Sequence, residues 1–429
     1  MRGLVVAIAM LASATTLPSV GHAAPPTDQD IVDSYQYMLS RWLVLRQESL
    51  DLDEGFKWNQ IIHRKPGGVT WANPNLDVAY SEAWIAVDQS SCTLINLPEI
   101  KGRYYTVQVL NGWGEVTTNI NERNFPDHPF GNFALCLKGA DVALPEIVQR
   151  IDLPNKRSRI LLRVELGPNP DEAIALQNRI TMKATGSPTV EGPVVKFDFP
   201  ITELPGVEAV DKTAEILASE PDINEGMAEM QSKALAVGEA AKDPAQRAHV
   251  DEVIRTKAIP AFMAAIPKMG ATGNGWMRPR VTGNYGSDHQ IRSIANFAGI
   301  WANNQKEVVY FMVEKLDGSK TYTQTYPKDA LPASKVGYFW SVIAVDSAKF
   351  QVIPNPLNRF LLNKQSGLEL NADGSLTLAF APKKPEELPE PNWLPTPKGQ
   401  PYNLTYRFYG PSQDIVSGAW FPPRLIEQE

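Results

Sequence analysis

The spacing of apolar positions changes three times along this chain. Between residues 28 and 48, Ile31, Tyr35, Met38, Leu39, Trp42 and Leu45 recur every three or four residues. That is one face of a helix, and Thr27 or Asp28 can cap its start. The spacing predicts one amphipathic helix lying over a sheet. A linker from Lys57 to Pro66 follows, closed by Gly67-Gly68.

From Thr70 to Phe199 the period becomes two. Strands are predicted at 78–87, 92–97, 104–110, 115–120, 133–137, 159–164 and 194–199, with a short helix at 171–182. Gly, Pro, Asn and Asp separate them, the pattern of an antiparallel sandwich or jelly roll. From 206 to 269 Ala, Glu, Lys and Met dominate. Helices are predicted at 207–218, 222–241 and 244–268, the last kinked at Pro260. Residues 270–306 are loop-rich, with a helix at 291–301, and the β pattern returns from 307 to about 409. The tail from 415, with Pro422-Pro423, is expected to pack irregularly.

The expected fold is therefore mainly β with an α insert: two antiparallel β-sandwich, jelly-roll-like domains joined by a helical segment. The divisions fall at 24–66 for the first helix and linker, 67–205 for the N-terminal sandwich, 206–306 for the helical insert, 307–412 for the C-terminal sandwich and 413–429 for the tail.

Composition adjusts this picture in three places. The net charge of −7 comes with no basic stripe, which argues against nucleic acid as a partner. Residues 1–23 read as a secretory signal: a positive Met1-Arg2, an apolar core from Leu4 to Leu11, Pro18, then small residues ending at Ala23. The run is too short to span a bilayer, so a periplasmic or secreted protein without a transmembrane segment is expected. Export in turn favours a disulfide between Cys92 and Cys136 over two buried thiols.

Several motifs resemble one exported bacterial family. Asn75-Leu76-Asp77-Val78-Ala79-Tyr80-Ser81-Glu82-Ala83-Trp84 and Gly102-Arg103-Tyr104-Tyr105 are similar to its N-terminal blocks. Asn284-Tyr285-Gly286-Ser287-Asp288 resembles its linking turn. Tyr338-Phe339-Trp340-Ser341-Val342, Val352-Ile353-Pro354-Asn355-Pro356-Leu357-Asn358-Arg359, Leu370-Asn371-Ala372-Asp373-Gly374 and Asn392-Trp393-Leu394-Pro395 resemble its C-terminal blocks. The family pairs domains of unknown function numbered 1254 (N-terminal) and 1214 (C-terminal). Val78 departs from it, standing where the family usually has Thr. The resemblance implies two β-sandwich domains joined by helices. It implies no particular reaction.

The chemistry has to come from single residues. There is no Gly-x-Ser-x-Gly elbow, no His-Glu-x-x-His, no phosphate loop and no dinucleotide fingerprint. His63, His128, His249 and His289 lack metal-ligand spacing, so no metal and no cofactor is expected. Asp77, Glu82, Glu115 and Asp288 are the acidic candidates. Asp77, Arg103, Tyr285 and Asp288 are the expected catalytic set; Asn75, Tyr104, Asn355, Asn358 and Arg359 are expected to contact substrate. The structural alternatives are turn formation by Asn75 and Asp77 and capping of loop carbonyls by Arg359. The expected function is a cofactor-free hydrolase or lyase acting on a glycan or related envelope or extracellular compound in a cleft between the sandwiches, with a small molecule or glycan as the expected ligand. The alternative is a non-catalytic ligand-binding or envelope-interaction protein. Oligomeric state is not legible.

Overall fold

The computed structural model describes residues 24–67, 73–188, 194–200 and 203–428. The leader expected at 1–23 lies outside them, as do Gly68, Thr70 and Trp71.

Among the described residues the chain is mainly β, with four sheets and a layer of helices. One five-stranded antiparallel sheet runs Ile62–His63, Val78–Ala86, Arg157–Glu165, Tyr105–Leu110, Val116–Ile120. A four-stranded sheet of Gln149–Leu153, Gly131–Leu137, Thr93–Leu97 and Thr181–Ala184 packs on it. Ala83, Ile85, Val107, Val109, Ile160, Leu162 and Val164 line the inner face of the first sheet, and meet Ile95, Leu97, Phe133 and Leu135 of the second. The period-two pattern is the cause, because alternate side chains point to one face.

The C-terminal half repeats the plan. A six-stranded sheet runs Gly270–Gly273, Trp276–Pro279, Val308–Leu316, Tyr402–Pro411, Val336–Asp346, Leu361–Asn363. It faces the sheet Trp393–Pro395, Leu376–Ala381, Thr321–Tyr326, Ile426–Gln428. Trp340, Val342, Leu404, Tyr406 and Phe408 pack against Leu376, Leu378 and Phe380 between them.

Several expectations need correction. Residues 194–199 form no strand, while Gln149–Leu153, Thr181–Ala184 and the hairpin Gly270–Gly273/Trp276–Pro279 are strands the pattern missed. The helix expected from 222 begins only at Ala228, and 220–227 is a loop. The tail is ordered: Gln413–Ser417 is helical and Ile426–Gln428 pairs with Thr321–Thr323. Ahead of Pro260 the helix widens into a π turn at Ile254–Ala258, absorbing the ring that blocks a normal bond.

The first helix, Asp28–Glu54, starts with a capping box between Thr27 and Asp30. It is not a one-sided surface helix, since every residue from Ser34 to Leu45 is buried. Trp42 and Leu39 join the helices Ala228–Ala240 and His289–Gly299 in one core, while Val44 packs on Trp84, Leu110 and Leu161 on the outer face of the five-stranded sheet.

The rest of that outer face meets the six-stranded sheet. Val78 and Tyr104 pack against Val308, Phe339 and Tyr409. Both faces of the large N-terminal sheet are thus covered, and the alternate polar positions Thr106, Gln108, Arg159, Arg163 and Glu165 are buried rather than solvated.

Cys92 and Cys136 are bonded, one step beyond the Thr93–Leu135 strand pair. The bridge sits under Leu94, Val142, Leu144 and Val148.

Candidate functional site

The expected site residues scatter. Asp77 reaches the seam between the large sheets, where its Oδ1 accepts from Asn363 Nδ2 at 2.8 Å. Burial lifts its pKa, against the pull of Ser341, Asn363 and Arg407, and Glu165 adds to the rise. Asn75 uses Oδ1 to fix the Asp77 N–H, and its Nδ2 donates to Tyr409 Oη at 2.7 Å. Tyr104 donates its hydroxyl to Glu307 at 2.8 Å. These three do converge between the halves.

Arg103 goes elsewhere. Its guanidinium holds the carbonyls of Glu165 and Leu166 and the Glu172 carboxylate, and no hydrogen bond or ion pair joins it to Asp77. Asp288 is exposed and caps the helix His289–Gly299 through Ile291 N–H. Asn355, Asn358 and Arg359 form a self-contained turn. Asn355 bonds the backbone of Ile353, Leu357 and Arg359, Asn358 takes a positive φ of 48°, and Arg359 caps the carbonyls of Glu390 and Trp393. The unusual composition of that stretch is turn chemistry.

Tyr285 leads to a constellation the sequence did not disclose. After the strand Tyr105–Leu110 the chain turns through Asn111-Gly112-Trp113-Gly114, with Gly114 at φ 77°, a conformation that favours glycine. Asn111 Oδ1 holds the N–H groups of Trp113 and Glu115. The turn thereby aims Glu115 toward the helical layer. There Arg292 Nη1 meets Asp222 Oδ2 at 3.0 Å and Glu115 Oε2 at 3.5 Å. Asp222 also accepts from Tyr37 Oη at 3.1 Å, and Glu115 from Asn224 Nδ2 at 2.8 Å.

The Arg292 guanidinium lies 4.5 Å from the centre of the Trp113 ring and 5.4 Å from that of Tyr37. It is fully buried, and so is the Glu115 side chain. Arg292 Nε and Nη2 and the Tyr285 hydroxyl have no hydrogen-bond partner among the described residues. Burial raises the Glu115 pKa; Arg292 and Asn224 oppose the rise and Asp222 adds to it. Burial lowers His289, and Arg292 pushes the same way. Asn224, His289 and Gln290 at the rim are partly exposed.

The loop 220–227 is what brings Asp222 and Asn224 here. Its anchor is Glu220, which accepts from Gly112 N–H at 2.7 Å and from Asn155 Nδ2. Trp113 Nε1 donates to the Glu220 carbonyl at 3.3 Å. Sequence reasoning placed Asp222 and Arg292 on helices and did not single out either. One signal was present: Arg292 and Asn296 are four residues apart on a helix whose other buried positions are Ser293, Ile294 and Ala295.

Comparison with known proteins agrees with the fold. The sequence matches the protein of unknown function DUF1254 over residues 58–184 and DUF1214 over residues 312–413. Among curated proteins, none matches the chain. The solved VPA0106 protein from Vibrio parahaemolyticus superposes with a TM-score of 0.67 at 17% identity, covering 94% of this chain and 100% of its own. An uncharacterised protein from Burkholderia cenocepacia aligns with a TM-score of 0.47 at 12% identity, over 94% of this chain and 95% of its own.

Proposed function

This chain belongs to the family that pairs the 1254 and 1214 domains, and we propose that it is an exported hydrolase or lyase acting on a glycan or related envelope compound. The working groups in this reading are Glu115, Asp222, Arg292 and Tyr285. One observation carries it: two carboxylates converge on one nitrogen of Arg292, Nη1, and burial raises the pKa of one of them, Glu115. Two carboxyl groups beside one substrate can divide the work of acid and base. In this reading Glu115, whose protonated form burial favours, donates to a leaving oxygen, and Asp222, held by Tyr37 and Arg292, acts as base or nucleophile. The free Nε–Nη2 edge of Arg292 and the Tyr285 hydroxyl offer donors to substrate oxygens.

Around this site we read the two pairs of sheets as jelly-roll-like sandwich domains joined by the helices. We read residues 1–23 as a leader to the periplasm or beyond. The Cys92–Cys136 bridge supports an oxidising compartment.

One observation favours non-catalytic ligand binding instead: Arg292 already covers the Trp113 face on which a sugar would stack. Turnover on panels of glycans and esters, beside calorimetric binding of the same compounds, separates the readings. Glu115→Gln and Asp222→Asn are each expected to lower turnover by a factor of about 10² or more. Binding without turnover on every substrate class would leave the binding reading standing and end the catalytic one.

A further inference from the structure

We propose that Glu220 is the positioning residue of the Glu115–Arg292 site, a latch that ties the turn carrying Glu115 to the loop carrying Asp222 and releases that loop on losing a proton. The inference rests on reading those carboxylates as the working groups, and it adds a control over their spacing.

One side chain joins the two segments. Glu220 Oε1 accepts from the Gly112 N–H at 2.7 Å and from Asn155 Nδ2. Gly112 lies three residues before Glu115, and Glu220 two residues before Asp222. The fit is close: a Cβ at Gly112 would stand 2.6 Å from Cγ and Cδ of Glu220, so only glycine lets the carboxyl in. The Glu220 carbonyl accepts from Trp113 Nε1 at 3.3 Å, and the Trp113 ring carries the Arg292 guanidinium at 4.5 Å from its centre. Beyond Glu220 the loop is held from its inner side. Asp222 and Asn224 turn in to Arg292, Tyr37 and Glu115, and Met227 is buried. Pro221, Ile223, Glu225 and Gly226 are exposed, so the outer side is solvated and the loop has room to swing away.

The surroundings favour the latch with its proton on. Glu220 is 1% exposed. Arg41 and Glu48 face it from the helix Asp28–Glu54, and Arg157, at the start of the strand Arg157–Glu165, pairs with Glu48 at 3.2 Å. Arg41 gives Nη1 to the Gly112 carbonyl and Nη2 to Ser219, and makes no ion pair with Glu220 among the described residues. Burial lifts the Glu220 pKa to about 7, against Arg41, the Gly112 N–H and Asn155, with Glu48 adding to the rise. Opening the loop returns the carboxyl to water and to its ordinary value of 4.5. Each pH unit between those two values therefore favours opening about tenfold, about 300-fold in all, and the effect levels off above about 7.

Hydrogen exchange at the Gly112 amide of the full chain, with no ligand present, tests this from pH 4.5 to 8. Once the intrinsic rate is divided out, protection should fall about tenfold per pH unit up to about pH 7 and then stay level. Low urea should hardly change it, because a loop opening exposes little surface, whereas an amide freed only by unfolding responds steeply. Glu220→Gln keeps an acceptor for Gly112 but cannot ionise, so its Gly112 protection should not vary with pH. A flat profile in the wild type would overturn the proposal. So would a steep urea response, or a Glu220→Gln profile identical to wild type. If that variant does not fold, the pH and urea profiles of the wild type decide alone. A chain that turns over no substrate leaves this result standing, and a flat Gly112 profile leaves the catalytic reading standing.

Discussion

Two arginines, Arg123 half-buried and Arg292 fully buried, sit at opposite ends of the same N-terminal sheet and are treated differently by their surroundings. At the seam, Arg123 gives Nε and Nη2 to Glu307 at 3.2 and 2.7 Å, and Nη1 to Glu122 and Tyr338. Its guanidinium lies 4.8 Å from the centres of both the Tyr104 and Tyr338 rings. Glu307 accepts further bonds from Asn121 and Tyr104, so neither charge lacks a partner. At the helical end, Arg292 uses one nitrogen of three, and it shares that one between two carboxylates. A saturated buried network rigidifies and specifies a fold, while a half-used one holds donors in reserve. The contrast marks Glu307 as the joint between the halves and Arg292 as the place where chemistry has room.

The sharpest way to break the contrast is to remove the joint. Glu307→Ala strips a buried anion from Arg123, Tyr104 and Asn121 at once. Arg123 keeps Glu122, but Tyr104 and Asn121 lose a charged acceptor, and a lost charged hydrogen bond costs about 1.5–3 kcal/mol. Urea unfolding should read a loss of that size. A loss below about 1 kcal/mol would show that the seam is not what holds the halves together.

The sequence made one of these regions visible and hid the other, for a physical reason. Period-two runs at 78–87, 104–110 and 159–164 located the strands and their inner faces. The rule that polar positions face water then failed, because the outer faces of both large sheets are covered. Asn75, Asp77 and Tyr104 were legible because each begins or precedes a strand in a turn-rich block. Glu307 and Arg123 were not, since their partners lie about two hundred residues apart. Asp222 was read as helix although Asn224 and Gly226 break the pattern. Short strands such as Thr181–Ala184 carry too few residues for a period to register. The disulfide was legible because two cysteines in an expected exported chain leave one pairing.

A second test separates the regions by pH. Glu220, which anchors the loop carrying Asp222, is raised from an ordinary 4.5 to about 7. Burial is the main cause; Arg41, Gly112 N–H and Asn155 oppose it, and Glu48 adds to it. The folded state therefore holds a proton that the unfolded chain releases near pH 4.5. The stabilisation is complete below that pH and is lost as pH rises through about 7, an effect of up to about 3 kcal/mol. Wild type should lose stability between about pH 4.5 and 7, and Glu220→Gln should flatten that slope. A slope unchanged in the variant would move the titration to another group.

The finest distinction lies between two tyrosine hydroxyls. Tyr104 Oη donates to the Glu307 carboxylate, and a hydrogen bond to a charged group contributes about 1.5–3 kcal/mol. Tyr104→Phe should cost that much. Tyr285 is as deeply placed, but its hydroxyl has no partner among the described residues. Burial pushes its pKa upward; the Gly283 backbone N–H opposes the rise and Glu115 adds to it, so the group stays neutral. Tyr285→Phe removes a hydroxyl held by nothing stronger than the Gly283 backbone N–H. Its stability should stay within about 0.5 kcal/mol of wild type, or rise slightly. Ligand affinity or turnover, once a substrate is found, should fall in Tyr285→Phe and hold in Tyr104→Phe. Thermal unfolding of the two variants side by side reads the first half of that prediction without any ligand. Equal losses in both would mean that Tyr285 is as fully used by the fold as Tyr104, and would remove it from the candidate site.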